Sequence, residues 1–379
     1  MALDVERVRR EEFAWMNEGG CVYMNAASTG PSPARSIAAQ MDFVTRRAMP
    51  HRVTFEDQFG TLARCRQLIA AMINADAREI ALAANTGIGI NLAAWGFPLG
   101  PGDVVVVPDG EFPANMYPWL AAAEARGFSV DVVPLANGIP DQEAILAALD
   151  QANVRVLSVS WCGFSNGAVV DLPRLGRACR ERGILFVVDA IQGFGPLTLD
   201  VRDTPVDVLA CGAQKWLLGP WGSGFTWIRR DVMDRIVPQP VSWMAVRDSD
   251  DFSRLVDYDL TWRDDARRFE HVTMAYQDFA GFAASLELFA ELGVHEISER
   301  IVGSARGLLE GAAAAGIECV TPSRGHGGIA SVRPANARAA SEKLDKSGIV
   351  HSLREGVIRL APHIYTTDED IHRTLAELR

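Results

Sequence analysis

The strongest constraint on this chain is an alternation of two patterns. Apolar runs rich in β-branched residues take turns with amphipathic stretches. Residues 103–108 read Asp-Val-Val-Val-Val-Pro, and 79–84, 128–134, 154–160, 184–189, 206–211 and 224–228 are of the same kind. Between them, 89–96, 114–126, 141–150 and 172–182 carry helical spacing. A strand apolar along its whole length is buried on both faces, and helices between such strands do the covering. The expected fold is therefore α/β: a mostly parallel sheet with helices on both faces. A short strand is expected at 21–25, with helices at 36–46 and 59–73. Residues 247–268 turn charged and irregular. A long helical segment, 276–315, follows, and then strands at 328–332 and 357–360 among helices. This divides the chain into a polar N-terminal segment (1–20) packing on the small domain, a large domain (21–250) and a smaller α+β domain (251–379).

Composition narrows the class of function. Lys+Arg total 37 and Asp+Glu 48, a net charge of −11, which argues against nucleic acid and anionic membranes as partners. No stretch reaches the ~20 apolar residues of a spanning helix, and the charged first twelve residues lack a signal-peptide core. The six cysteines are scattered without a CxxC pair. Neither a zinc site nor a disulfide framework is expected, and a reducing cytoplasm suits the chain.

Lysine is scarce. It occurs only at Lys215, Lys343 and Lys346. The last two sit in a polar helical stretch. Lys215 lies between an apolar run and the glycine-rich segment 219–224. A buried ammonium shifts its pKa and can form imines, which a guanidinium cannot.

Ligands of open α/β sheets bind at the carboxyl ends of the strands. Asp189 ends one apolar run, either as a turn carboxylate or as a charge held against a cation. Lys215 follows the next run. Residues 85–91 join a strand to a helix with Thr86 and Gly87 at the junction, where backbone amides and a hydroxyl suit a phosphate. Phe112 follows the strand at 103–108, in the core or as a flat stacking surface. An imine-forming lysine, a carboxylate for a pyridine nitrogen, a phosphate cradle and a stacking ring together describe pyridoxal 5′-phosphate (PLP). The glycine fingerprint of a dehydrogenase is missing.

Residues 187–192 (Val-Val-Asp-Ala-Ile-Gln) and 212–224 (Gly-Ala-Gln-Lys-Trp-Leu-Leu-Gly-Pro-Trp-Gly-Ser-Gly) resemble the cofactor signature of class V aminotransferase-fold PLP enzymes, fold type I. Residues 111–119 and 352–365 resemble the isopenicillin N epimerase-like branch. Cysteine desulfurases and selenocysteine lyases are more distant relatives. The resemblance implies that Lys215 forms the internal aldimine and moves the Cα proton. By the same likeness Asp189 pairs with the pyridine nitrogen, Gln192 meets the phenolic oxygen and Phe112 stacks where desulfurases have histidine. Thr86, Gly87 and Gln214 would hold phosphate. Thr273 would reach the phosphate across a homodimer interface with shared active sites, and Arg354 would bind the substrate carboxylate. The desulfurase nucleophile, a cysteine shortly before the substrate arginine, has no counterpart here. Cys162 and Cys211 lie near the cofactor edge but outside that position, and Trp161, Trp243, His363 and Tyr365 are candidate pocket residues.

The expected activity is on a small amino acid at Cα, through an external aldimine and a quinonoid, epimerase- or lyase-like. An aminotransferase or a cysteine desulfurase/selenocysteine lyase is the alternative, and a non-catalytic PLP-fold binding protein a remote one.

Overall fold

A computed structural model describes residues 3–18 and 20–378; residues 1, 2 and 19 of the expected N-terminal segment lie outside it. Along the chain, β1 (Val22–Tyr23) precedes two helices, Ala34–Arg47 and Thr61–Ile73. Then come β2 (Ile80–Leu82), β3 (Val104–Pro108) and β4 (Ser129–Val133), a small hairpin of β5 (Leu135–Ala136) and β6 (Ile139–Pro140), and β7 (Val154–Ser160). They are followed by β8 (Leu185–Asp189), β9 (Val208–Gly212) and β10 (Gly224–Ile228). A seven-stranded sheet forms in the order β2-β10-β9-β8-β7-β3-β4. Its strands are parallel except β10, which runs against both neighbours.

Burial on both faces explains the apolar runs. Val104 and Val106 of β3 join one core cluster, and Val105 and Val107 join the other, on the opposite face. In β8, Phe186 and Val188 divide from Leu185 and Val187 in the same way. Each such side chain contributes about 1.5–3 kcal/mol, which leaves no polar face to read.

The helices begin and end where local chemistry dictates. Thr86–Gly96 starts at Asn85, whose side chain accepts from the Ile88 amide at 3.2 Å. Pro113 opens Pro113–Arg126, its missing N–H costing nothing in the first turn. Gly127, at φ +80°, closes that helix in the left-handed region. Gly89 lets Thr86–Gly96 lie close on the sheet: a Cβ there would stand 2.3 Å from Thr226 Oγ1 and 2.6 Å from Ala210 Cβ.

A small C-terminal sheet domain follows. β11 (Glu318–Cys319), β12 (Ala330–Arg333), β14 (Ser352–Arg354) and β15 (Val357–Leu360) pair in the order β11-β12-β15-β14, while β13 (Ile349–Val350) pairs separately. Two expectations shift. The strand expected at 21–25, within the large domain, is β1, and it pairs with β13; Val22 and Met24 pack in the C-terminal core. The helical segment expected at 276–315 is two helices, Tyr276–Leu292 and Val294–Ala314, broken at Gly293 (φ +85°). Among the described residues no helix is long and apolar enough to cross a membrane.

Candidate active site

β3, β7, β8 and β9 run in one direction, so the segments leaving them emerge side by side. Ser160 is in register with Asp189, and Asp189 with Ala210. The next residues to appear on that edge are Asp189, Lys215 and, from β3, Phe112.

Asp189 is 2% exposed and accepts one hydrogen bond, from the Ile191 amide at 2.9 Å. Burial raises its pKa to about 6; that N–H and the Lys215 charge pull the other way. Burial lowers Lys215 to about 8, with Asp189 opposing and Arg359 adding to the fall. The two do not form an ion pair among the described residues, yet each is felt by the other. Lys215 Nζ lies 5.6 Å from the Phe112 ring centroid. Phe112 is half-exposed and meets Phe164 edge to face at 5.3 Å.

Thr86 heads its helix beside the end of β9. Its Oγ1 accepts from the Gly212 amide at 2.9 Å, which leaves the hydroxyl proton to donate. Gln214 sits just beyond, and its carbonyl accepts from Gly30 N–H at 2.8 Å. A Cβ at Gly30 would fall 2.0 Å from the Lys215 carbonyl oxygen, so segment 25–30 clasps the lysine loop. Gln192 is buried. Its Nε2 donates to the Ala27 carbonyl at 3.0 Å, and its Oε1 accepts from the Trp216 indole N–H at 2.7 Å.

These residues fit PLP. A buried carboxylate with one hydrogen bond has room for a protonated ring nitrogen. A buried amine with a pKa near 8 suits a carbonyl carbon. The Thr86 hydroxyl stands at a helix N-terminus, where an anion is favoured.

The other expected residues lie partly beside this group and partly away from it. Thr273 is exposed and lines a cavity of about 230 Å3 with Ile88, Gly222 and Met274. Arg354 lies exposed at the turn between β14 and β15. Trp161 is buried and packs over Gly193, where a Cβ would meet its ring at 2.5 Å. His363 and Tyr365 are fully buried behind the lysine loop, so they line no open pocket. Trp243 is exposed and lines a separate cavity of about 440 Å3 with Tyr258 and Leu260, inside the charged, irregular segment.

Two groups escaped the sequence reading. Arg359 is 2% exposed; it donates to the Phe164 carbonyl and to Ser28 Oγ, each at 2.6 Å, and its Nε has no partner. Burial lowers it to about 10, and Arg354 adds to the fall. Its neighbours Ile358 and Leu360 point into the C-terminal core, so strand alternation turns Arg359 the other way. An arginine between two apolar residues of a strand was the available signal. Glu111 accepts from the Ser160 amide at 2.6 Å and from the Ser160 hydroxyl. Burial raises its carboxyl to about 7, and the Asp189 charge adds to the rise.

Comparison with known proteins places this geometry. The family model "Aminotransferase class-V" matches residues 22–373. A probable cysteine desulfurase of Methanothermobacter thermautotrophicus is 32% identical over 73% of this chain and 69% of its own. The isopenicillin N epimerase of Amycolatopsis lactamdurans is 28% identical over 94% of each chain. Among solved structures, the cystine C–S lyase C-DES in complex with its product cysteine persulfide superposes with a TM-score of 0.87, at 25% identity, covering 97% of this chain and 99% of that one.

Proposed function

Because the chain belongs to the class V aminotransferases, a PLP-dependent family, we propose that it catalyses β-elimination on a small amino acid that carries a leaving group, sulfur foremost, on Cβ. Bound PLP supplies an electron sink for the bond broken at Cα. Lys215 takes the Cα proton; a pKa near 8 leaves part of it neutral at physiological pH. Asp189 keeps a negative charge against the ring nitrogen. Gln192 offers its second N–H to the phenolic oxygen, Phe112 covers the ring, and Thr86, Gly87 and Gln214 hold the phosphate.

The substrate carboxylate falls to Arg359, not to Arg354. Arg359 is buried without a carboxylate partner among the described residues and with its Nε unsatisfied. A guanidinium in that state gains most from a bidentate anion. Arg354 is solvated and needs none.

The observation that carries the lyase reading is the state of the thiols. Cys162 and Cys211 are buried beside the strand ends; burial pushes Cys162 up to about 12 and Cys211 well above its ordinary value. Neither supplies a thiolate to accept sulfur. Phe112, unlike a histidine, has no proton to return. The Cβ–X bond therefore breaks with its electron pair leaving on X, and hydrolysis of the released enamine yields a 2-oxo acid and ammonia without an oxidant. The likeness to a cystine C–S lyase supports this. The desulfurase relatives favour a second reading, sulfur transfer from cysteine.

The working unit in this proposal is a homodimer with shared sites. Ile37, Met41 and Val44 leave an apolar stripe exposed on one helix, Trp221 is 71% exposed on the glycine-rich turn, and Thr273 is exposed nearby. From there Thr273 can serve the phosphate held by a second copy.

Incubating the enzyme with L-cystine, L-cysteine and a panel of amino acids in D2O separates the readings. Elimination gives pyruvate and ammonia from cystine. Alanine as the sulfur-free product would establish desulfuration instead, and deuterium at Cα with inversion of its configuration would establish epimerisation.

A further inference from the structure

His363 and Trp216 form a chain of contacts from the C-terminal domain to Gln192. The His363 ring is fully buried between Trp216 and Tyr365, stacked on each, with centroids 5.7 and 5.6 Å away. Its Nδ1 accepts from the Ile364 amide at 2.8 Å. The ring proton therefore sits on Nε2, which donates to the Trp216 carbonyl at 2.9 Å. Burial lowers the pKa to about 4, so the ring is neutral and this tautomer persists at physiological pH. Trp216 is the residue after Lys215. It is 1% exposed and packed so tightly that a Cβ at Gly328 would stand 2.7 Å from its ring. Its indole N–H then meets Gln192 Oε1 at 2.7 Å.

An amide side chain has an acceptor end and a donor end of nearly equal shape. With Oε1 on the indole and one Nε2 proton on the Ala27 carbonyl, Gln192 has a single N–H left to offer. Turning the amide over would set N–H against indole N–H and oxygen against the Ala27 oxygen. Both contacts would become repulsive in a buried site.

We propose that Trp216 and His363 are positioning residues that hold Gln192 with its donor end toward the cofactor's phenolic oxygen. This rests on the cofactor reading above, in which Gln192 meets that oxygen. Neither residue touches the reacting atoms. His363 fixes the Trp216 backbone, Trp216 fixes the amide, and the amide sets the charge on the oxygen. Asp189, Arg359, Arg354 and Cys211, the charged and titratable groups that act on Lys215, stay in place when only the indole N–H is removed.

The test is a pH titration of the visible absorption band of the PLP-loaded protein. A donor at the phenolic oxygen favours the form that has lost the lysine-nitrogen proton, so losing the donor raises the titration midpoint. Trp216→Phe keeps an aromatic ring and removes the N–H. It should raise the midpoint by about one pH unit, tenfold in the proton equilibrium. Gln192→Ala should do the same, and the double variant should show no further rise, since both act through one hydrogen bond. An unmoved midpoint in Trp216→Phe, or shifts that add in the double variant, overturns the proposal. Should Trp216→Phe not fold, His363→Leu and His363→Gln decide it. A rise in the first that the second reverses supports the proposal, and no rise in either overturns it. A wild-type protein with no visible band would instead refute the cofactor reading.

Discussion

Replacing Asp189 by Asn should stabilise the cofactor-free protein and slow the cofactor-loaded enzyme by orders of magnitude. A carboxyl whose folded pKa is raised favours its proton in the folded state. Stability from that group is therefore present at low pH and lost as pH rises from the unfolded value, 3.8, through the folded value, about 6. Above pH 7 the full penalty stands: ~2 pKa units, or ~3 kcal/mol at 1.36 kcal/mol per unit. Asn keeps the shape and accepts the same Ile191 N–H without the charge. The folded value of about 6 already includes the attraction of Lys215, which pulls it down. The net gain, ~2–3 kcal/mol, corresponds to a rise of roughly 2.5–4 °C in Tm for a chain of this length. Thermal unfolding of the PLP-free variants at pH 8 and at pH 4 measures it. The Asn protein should melt higher at pH 8, and the difference should vanish near pH 4. A variant that melts lower at pH 8, or differs equally at both pH values, would refute the reasoning. With PLP bound the advantage should disappear, because the wild-type carboxylate then has its cation.

Two further outcomes follow from the geometry. Arg359→Lys removes the bidentate fork and should raise the KM for amino-acid substrate about a hundredfold, equivalent to ~3 kcal/mol. Arg354→Ala should leave KM within a few-fold, and steady-state kinetics on the two variants compares them directly. Mixing inactive Lys215→Ala with inactive Thr273→Arg should restore partial activity after subunit exchange, because a mixed dimer with shared sites keeps one site free of both lesions. No recovery after verified exchange would contradict the shared-site proposal.

The sheet was legible because its inner strands are apolar on both faces, a pattern that only double burial tolerates. Asp189 and Lys215 were legible for a related reason: each is a charge placed just after such a run, where the parallel strands end. The break at Gly293 was hidden because both flanking helices carry the same amphipathic spacing, and a single glycine inside it reads as tolerated. β1 looked like a first strand of the main sheet; its partner β13 lies more than 300 residues away, and no local pattern announces that pairing. Arg354 and Arg359 stand in one short segment. Only the register of β14 on β15, with Ser352 opposite Arg359 and Arg354 opposite Val357 at the turn, separates the exposed guanidinium from the buried one. The tie from His363 through Trp216 to Gln192 is likewise a product of tertiary contacts, since the three residues share no local spacing.

Lys215 is the residue that would hold the cofactor and move the proton. Borohydride reduction of the PLP-loaded protein, followed by peptide mapping, tests it in one measurement. A single pyridoxyl label is expected on the peptide containing Lys215, and none in Lys215→Ala. A label on Lys343 or Lys346, or undiminished labelling in Lys215→Ala, would contradict it.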